Sequence, residues 1–334
     1  MSTETNSELR LDGETVAEDN RRNLLARSLL FGCVSITILT TLAIFGVLLN
    51  EATQFFFNET LTGIVVGVFT GADIVQRVGF VEFFTDTQWR PNHAIDPRYG
   101  ILPLLTGTLY VTVGAAFVAI PIGTLTAIYL SEYASQSVRT YLKPGLEILA
   151  GIPTIVYGFF AISFVTPHLI QPLAGLFGYR AGVANAAAGC IVVGILTIPI
   201  VASISEDAMN SVPDELRNGA YALGATKYDV STRIVLPASI SGVFASYILA
   251  ISRAIGETMA VVLAAGFTPQ ITANPFDEIQ TMTSFMVTQA EGESMLGSVS
   301  YQSLFAVGLL LFLVTLVLNL INNRMKRRFR EEYV

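Results

Sequence analysis

Residues Ile240–Gly266 read ISGVFASYILAISRAIGETMAVVLAAG, and within them only Arg253 and Glu257 carry charge. A run this long and apolar exceeds the roughly 20 residues that an α-helix needs to cross the hydrocarbon of a bilayer. An arginine near its middle costs about 2.5–3.5 kcal/mol on insertion scales, so it should face protein or water and have a partner. Arg253 and Glu257 stand four apart and would share one face of a helix. Two readings fit that spacing. The pair could simply neutralise itself and permit packing, or the guanidinium, a planar donor fork suited to oxyanions, could lie along an anion path and be held by the carboxylate. Gly256 between them allows close approach by another helix or a ligand.

The rest of the chain has the same character. Of 334 residues, 52% are apolar and 13% charged, where soluble domains carry roughly a quarter charged residues. A mean hydropathy of +0.58 calls for several spans rather than one anchor. Apolar runs of span length occur at Ser28–Leu49, Leu105–Tyr129, Leu146–Thr166, Val183–Ser203, Ile240–Gly266 and Leu304–Ile321. The expected fold class is an all-α polytopic membrane protein with about six transmembrane helices. Leu61–Thr70 is apolar but only about half a span long, which places it outside the hydrocarbon or in a re-entrant piece.

Lysine and arginine set the orientation, because loops rich in them stay cytoplasmic. With both termini inside, fourteen such residues fall on inner segments, Arg139, Lys143, Arg217, Lys227 and Arg233 among them, and four fall outside: Arg77, Arg90, Arg98 and Arg180. The long loop from Phe267 to Ser300 then faces outward and has acidic residues but no basic one. This is a multi-pass protein of the cell membrane, in contact with lipid, with both ends cytoplasmic. Residues 1–23 read as an acidic, solvated tail, 24–104 as the first span with an extracytoplasmic segment, 105–322 as the main transmembrane domain, and 323–334 as a basic cytoplasmic end. Pro121, Pro153 and Pro199 lie inside apolar runs, where freed carbonyls need a neighbouring helix or a wet cavity.

Several chemistries are excluded. None of the three lysines follows a glycine, so no phosphate-cradling G-x-x-x-x-G-K-[ST] loop exists and the chain has no ATPase site of its own. His93 and His168 lie far apart, and Cys33 and Cys190 sit in apolar runs, so neither metal nor any other cofactor is expected. A net charge of −7 does not suit nucleic acid and is compatible with a high-salt setting.

Between the fourth and fifth runs, Ser211-Val-Pro-Asp214 reads as a helix start, with Ser211 as N-cap and Asp214 and Glu215 in the first turn. Leu216, Ala220 and Leu223 then fall on one face, and Gly224 is a natural stop. A second short helix follows from Lys227 to Val235. Arg217, Lys227 and Arg233 are balanced by Asp207, Asp214, Glu215 and Asp229, which argues for docking in a partner's groove over adsorption to anionic lipid.

Two of these segments carry a family signature. Ala220-x-x-x-Gly224, nine residues, then Ile234-x-Leu236-Pro237 resembles the "EAA" coupling motif of binding-protein-dependent ABC importer permeases, with Asn218 in place of the usual glutamate and Gly219 in place of the first alanine. Arg253-Ala-Ile-Gly-Glu-Thr258-Met-Ala-Val261 is similar to a segment of the permeases of the phosphate-specific (Pst) importer, and its ending is closer to the PstC type than to the paralogous PstA type. Leu149–Gly158 is similar to a third-span segment of the same permeases. The likeness runs from about Leu24 to Arg330. It implies a type I ABC importer permease fold and a phosphate substrate moved by alternating access. The implied partners are a PstA-type permease, a dimer of PstB-type ATP-binding subunits, and an extracytoplasmic PstS-type phosphate-binding protein. It further implies that Arg253, Gly256, Glu257 and Thr258 line the path, and that the segment near 211–235, through Leu216, Ala220, Leu223, Gly224, Ile234, Leu236 and Pro237, couples to the ATPase. Two other classes remain open on the residues alone: an ion-coupled secondary anion transporter, and a phosphate-sensing membrane scaffold that transports nothing.

Overall fold

The computed structural model of the chain describes residues 4–57, 59–70, 76–292, 295 and 297–328. It divides into two units, Met1–Glu51 and Ala52–Val334. The first unit is the greater part of helix α1 (Glu4–Phe57), apolar enough to span a membrane from Asn23 onward. Within it the hydroxyls of Thr37, Thr40 and Thr41 each donate to the carbonyl one turn back, which satisfies them inside the helix as a bilayer requires. The helix begins within the stretch read above as an acidic tail. The side chains of residues 1–22, and the C-terminal end from residue 329, lie outside the described residues.

The second unit opens with α2 (Leu61–Thr70) and α3 (Phe80–Thr85), then a two-residue hairpin, β1 (Trp89–Arg90) paired antiparallel with β2 (Arg98–Tyr99). α3 and the hairpin close over an aromatic core in which Phe55, Phe83, Trp89, Tyr99 and Phe285 are buried together. Trp89 meets Phe285 edge-on at 4.9 Å, a favoured geometry for ring quadrupoles.

The bundle proper begins with α4 (Leu102–Ile128), which ends in one π-helical turn, Tyr129–Tyr133. The amphipathic α5 (Gln136–Gly151) follows. Then α6 (Thr154–Phe160) runs through a π-helical stretch, Ala161–Ile170, into α7 (Gln171–Leu176) as a single span. Next come α8 (Ala186–Asn210), α9 (Asp214–Ala222) and α10 (Lys227–Val230), the last continuing by a π turn, Ser231–Val235, into α11 (Leu236–Ala238). The chain ends with α12 (Ile240–Gly256), α13 (Met259–Ala265), α14 (Met282–Glu291) and α15 (Val299–Arg328). Among the described residues, five helices are long and apolar enough to cross a membrane, and six if the bent pair Lys227–Ala238 and Ile240–Gly256 counts as one span.

α8 lies at the centre, against α4, α12 and α13. α4 and α8 meet along small residues: a Cβ on Gly114 would collide with Cys190, and one on Gly194 with Val118. Such contacts let helices approach closely where no hydrophobic force drives them together in lipid. Fully buried Asn185 caps α8, accepting from Ala188 N at 2.8 Å while its amide donates to Thr166 Oγ1 at 3.2 Å.

Three expectations need correction. The third span starts at Thr154, not Leu146, because Pro153 ends the preceding helix and leaves Leu146–Gly151 in α5. The fifth run is not one helix: α12 stops at Gly256 and α13 restarts at Met259. The loop after Phe267 carries a helix of its own, α14, with Met282, Ser284 and Phe285 buried, and Met282 N donates to Thr108 Oγ1 at 2.9 Å. Ser211 does not start α9. α8 extends to Asn210, and the Ser211 hydroxyl closes it by donating to Ala208 O at 2.7 Å, leaving Pro213 as the N-cap position of α9.

Candidate functional site

A cleft of about 770 Å³ opens between α5, α8 and α12, with Asn319 of α15 at its side. One end carries Arg253, Gly256 and Glu257, and the other carries Lys143 and Glu206. From Pro199 to Glu206 the α8 wall rises about 10 Å at 1.5 Å per residue. Pro199 faces this cleft, which suits a proline whose helix has lost a hydrogen bond.

Arg253 and Glu257 share the cleft but not a helix face. Glu257 leaves α12 with an extended backbone, φ −67° and ψ 132°. Its carboxylate Oε1 accepts from Ala260 N at 3.4 Å and its carbonyl accepts from Thr283 Oγ1 at 2.8 Å. Glu257 is buried and ties the restart of α13 to the α14 segment. Arg253 is exposed in the cleft, and among the described residues no ion pair joins it to Glu257. The expected four-residue pairing fails because Gly256 ends the helical repeat between them. A Cβ on Gly256 would meet open space, so among the described residues no other helix of this chain packs closely on it. Thr258 lines a separate cavity of about 360 Å³ with Thr283 and Met286, to which Gly256 also contributes.

The coupling-motif residues gather at the end of the bundle where α4 and α8 finish. Ala220 is buried with Met209, Val212, Val230, Val235 and Val243, and Ile234 and Leu236 pack on that cluster. Leu216 and Leu223 are exposed, Leu223 at 90%, so of the three residues read as one face only Ala220 is buried within this chain. Pro237 is exposed inside a helix that continues past it to Ala238. Gly224 takes φ +85°. Ala225 N donates to Ala220 O at 3.1 Å and Gly224 N to Tyr221 O at 3.0 Å, the paired bonds of a helix stop that requires a left-handed residue.

Sequence reasoning missed a polar network between these two regions. Glu206, 1% exposed, pairs with Arg139 Nε at 3.1 Å and Lys143 Nζ at 3.3 Å, and Lys143 also reaches Asp207 at 3.3 Å. Burial lowers the Lys143 pKa, but its bonds to Asp207 and Glu206 outweigh this and raise it above the ordinary lysine value. Asn210 links Glu206 to Arg139, donating to the first at 3.3 Å and accepting from the second at 2.9 Å. Ser131 Oγ lies 3.1 Å from both Asn210 Oδ1 and Glu132 Oε1. Glu132 in turn pairs with Arg217 of α9 at 3.1 Å. The sequence signal was the acid pair Glu206-Asp207 at the end of an apolar run, with Arg139 and Lys143 four apart upstream.

This helix order, with a cleft among apolar spans and an amphipathic excursion between two of them, is that of an α-helical membrane protein suited to transport. Residues 119–331 match the family described as "binding-protein-dependent transport system inner membrane component", and the chain belongs to that family. Among its relatives is the probable ABC transporter permease YqgH of Bacillus subtilis, 35% identical over 257 residues, covering 76% of this chain and 81% of the relative. Another is the phosphate transport system permease PstC of Xylella fastidiosa, 33% identical over 287 residues, covering 81% and 86%. In fold the chain is similar to a subunit of a bacterial alginate ABC transporter solved with its periplasmic protein, at TM-score 0.63 and 14% identity over 95% of this chain and 99% of that one. The protein is thus a multi-pass membrane permease of an ABC importer, a transport subunit that works with a separate nucleotide-binding subunit and a substrate-binding protein. That decides against the ion-coupled and scaffold alternatives.

Proposed function

We propose that this permease passes phosphate, with Arg253 as the fixed positive group on the path. The observation that carries the reading is an exposed guanidinium in the wall of a 770 Å³ cleft, without an ion-pair partner among the described residues. A charge held at such a place is a functional site by default, and a planar fork matches a tetrahedral oxyanion. Several relatives named as phosphate transport permeases support phosphate over other oxyanions. The partners are then a PstA-type paralogue, PstB-type ATPases and a PstS-type binding protein, and substrate passes by alternating access. Both termini lie in the cytoplasm, so α9, with exposed Leu216 and Leu223, faces the ATPase, and Gly224, Ile234, Leu236 and Pro237 hold that helix in place.

ATP-dependent uptake of radiolabelled phosphate by proteoliposomes containing the full complex tests this reading. Uptake of phosphate and no sulfate is expected. Phosphate uptake absent with ATP present would overturn it.

A further inference from the structure

The coupling helix α9 is short, and only Ala220 of it is buried, so apolar contact alone anchors it poorly. Arg217 supplies what is missing. Its guanidinium donates to Glu132 Oε1 from Nε at 3.2 Å and from Nη2 at 3.1 Å. Nη2 also donates to Met209 O at 2.8 Å, and Nη1 donates to Val212 O at 2.5 Å and Asp214 Oδ1 at 3.1 Å. One side chain therefore holds the end of α4, the end of α8 and the start of α9. Met209 O lies in the last turn of α8, where carbonyls lack an i+4 partner, and it accepts from Val212 N at 3.2 Å as well as from Arg217. The acceptors lie in different directions, which suits the rigid five-donor fork of arginine and not the three donors of a lysine ammonium.

Glu132 is as constrained as its partner, with side-chain exposures of 5% for the glutamate and 14% for the arginine. It sits in the single π-helical turn Tyr129–Tyr133 that ends α4. A π turn inserts an extra residue and re-aims the side chains around it, and such turns recur at functional sites. From Glu132 the contacts continue through Ser131 and Asn210 to Glu206 in the cleft wall.

We propose that Arg217 is a positioning residue: clamped to Glu132, it makes α9 and the inner ends of α4 and α8 move as one body, so that a displacement imposed on α9 reaches the cleft at Glu206. The proposal rests on the reading above that α9 docks on the ATPase. It assigns the coupling of that dock to a buried ion pair, in a chain where Asn218 stands at the motif's glutamate position.

The test uses the whole complex in proteoliposomes with inorganic phosphate, measuring phosphate moved per ATP hydrolysed. Arg217→Gln and Glu132→Gln should each lower that ratio about tenfold, the scale of a typical coupling free energy. The double variant should be no worse than either single one, because both remove the same contact. Arg217→Lys should behave as a loss, since it keeps charge but not the fork. Unchanged ratios in the assembled single variants, or losses that multiply in the double variant, would overturn the clamp. If the glutamine variants fail to assemble, Arg217→Lys decides alone, and a normal ratio in it overturns the clamp. A photo-crosslinker on Leu223→Cys, with Cys33 and Cys190 changed to alanine, separates the two levels of the argument. No crosslink to the ATPase sinks the docking reading, whereas a crosslink with an unchanged ratio in Arg217→Gln sinks only the clamp.

Discussion

Glu206 of α8, 1% exposed, lies 3.1 Å from the Nε of Arg139 on α5. α5 buries no residue fully; this carboxylate, with Lys143 at 3.3 Å, holds it to the bundle alongside Leu149, which packs on the Tyr157 cluster and whose carbonyl accepts from the Tyr157 hydroxyl at 2.6 Å. Losing one partner of a buried pair costs about 3–5 kcal/mol. Because Arg139 is partly exposed and Lys143 remains, about 2 kcal/mol is the better expectation for Arg139→Ala. Thermal unfolding of the purified complex in detergent should show the loss, together with faster hydrogen exchange confined to α5. An unchanged midpoint with unchanged exchange would mean that lipid or apolar contact holds α5.

Lys143 gives this contact a pH signature. Its folded-state pKa is raised by Asp207 and Glu206. Protonation is therefore favoured by folding, and the contribution is complete below the ordinary lysine value of 10.5 and lost as pH rises through the folded value. Alkaline titration should release α5 above that range in the parent protein. In Lys143→Met the same titration should show a smaller pH-dependent change, from an already weaker starting point.

Gly224 stops α9 at φ +85° with open space around it, so a side chain there meets backbone strain and no neighbour. Gly224→Ala should cost about 1 kcal/mol and Gly224→Asn less, because asparagine tolerates the left-handed region. A bulky Gly224→Trp should also obstruct the surface beside Leu223 and lower phosphate moved per ATP. The contrast is read from melting midpoints and transport ratios in one complex. A tryptophan variant that couples normally would remove Gly224 from the ATPase contact.

The spans and the helix stop at Gly224 were legible in the sequence because each depends on local physics: length of apolar run, and the one residue without a Cβ. The break after Gly256 was not. Ile240–Gly266 satisfies helical periodicity throughout, and what holds Glu257 out of the helix is Thr283, distant in the chain. Pro153 carried a sharper signal than the apolarity around it, since a missing donor ends α5 where hydrophobicity alone would continue it. The network from Arg217 to Glu206 was the least legible part, because Glu132 and Arg217 are 85 positions apart. A count of inner-side cations gave their number without their acceptors.

The break between Arg253 and Glu257 separates two accounts of the cleft. If the residues acted as a helical ion pair, neutralising either would have the same result. The geometry predicts otherwise. Arg253→Gln removes an exposed positive group from the cleft and should reduce phosphate uptake at least tenfold, about 1.4 kcal/mol or more in effective binding, while the complex still assembles. In Glu257→Gln the side-chain oxygen can still accept from Ala260 N, and the backbone carbonyl can still accept from Thr283 Oγ1, so much of the uptake should remain. Glu257→Ala, which loses the cap, should unsettle the start of α13 and cost stability before it costs specificity. Uptake kinetics for the three variants, at matched complex recovery, decide the matter. Equal losses in Arg253→Gln and Glu257→Gln would restore the ion pair as the working unit.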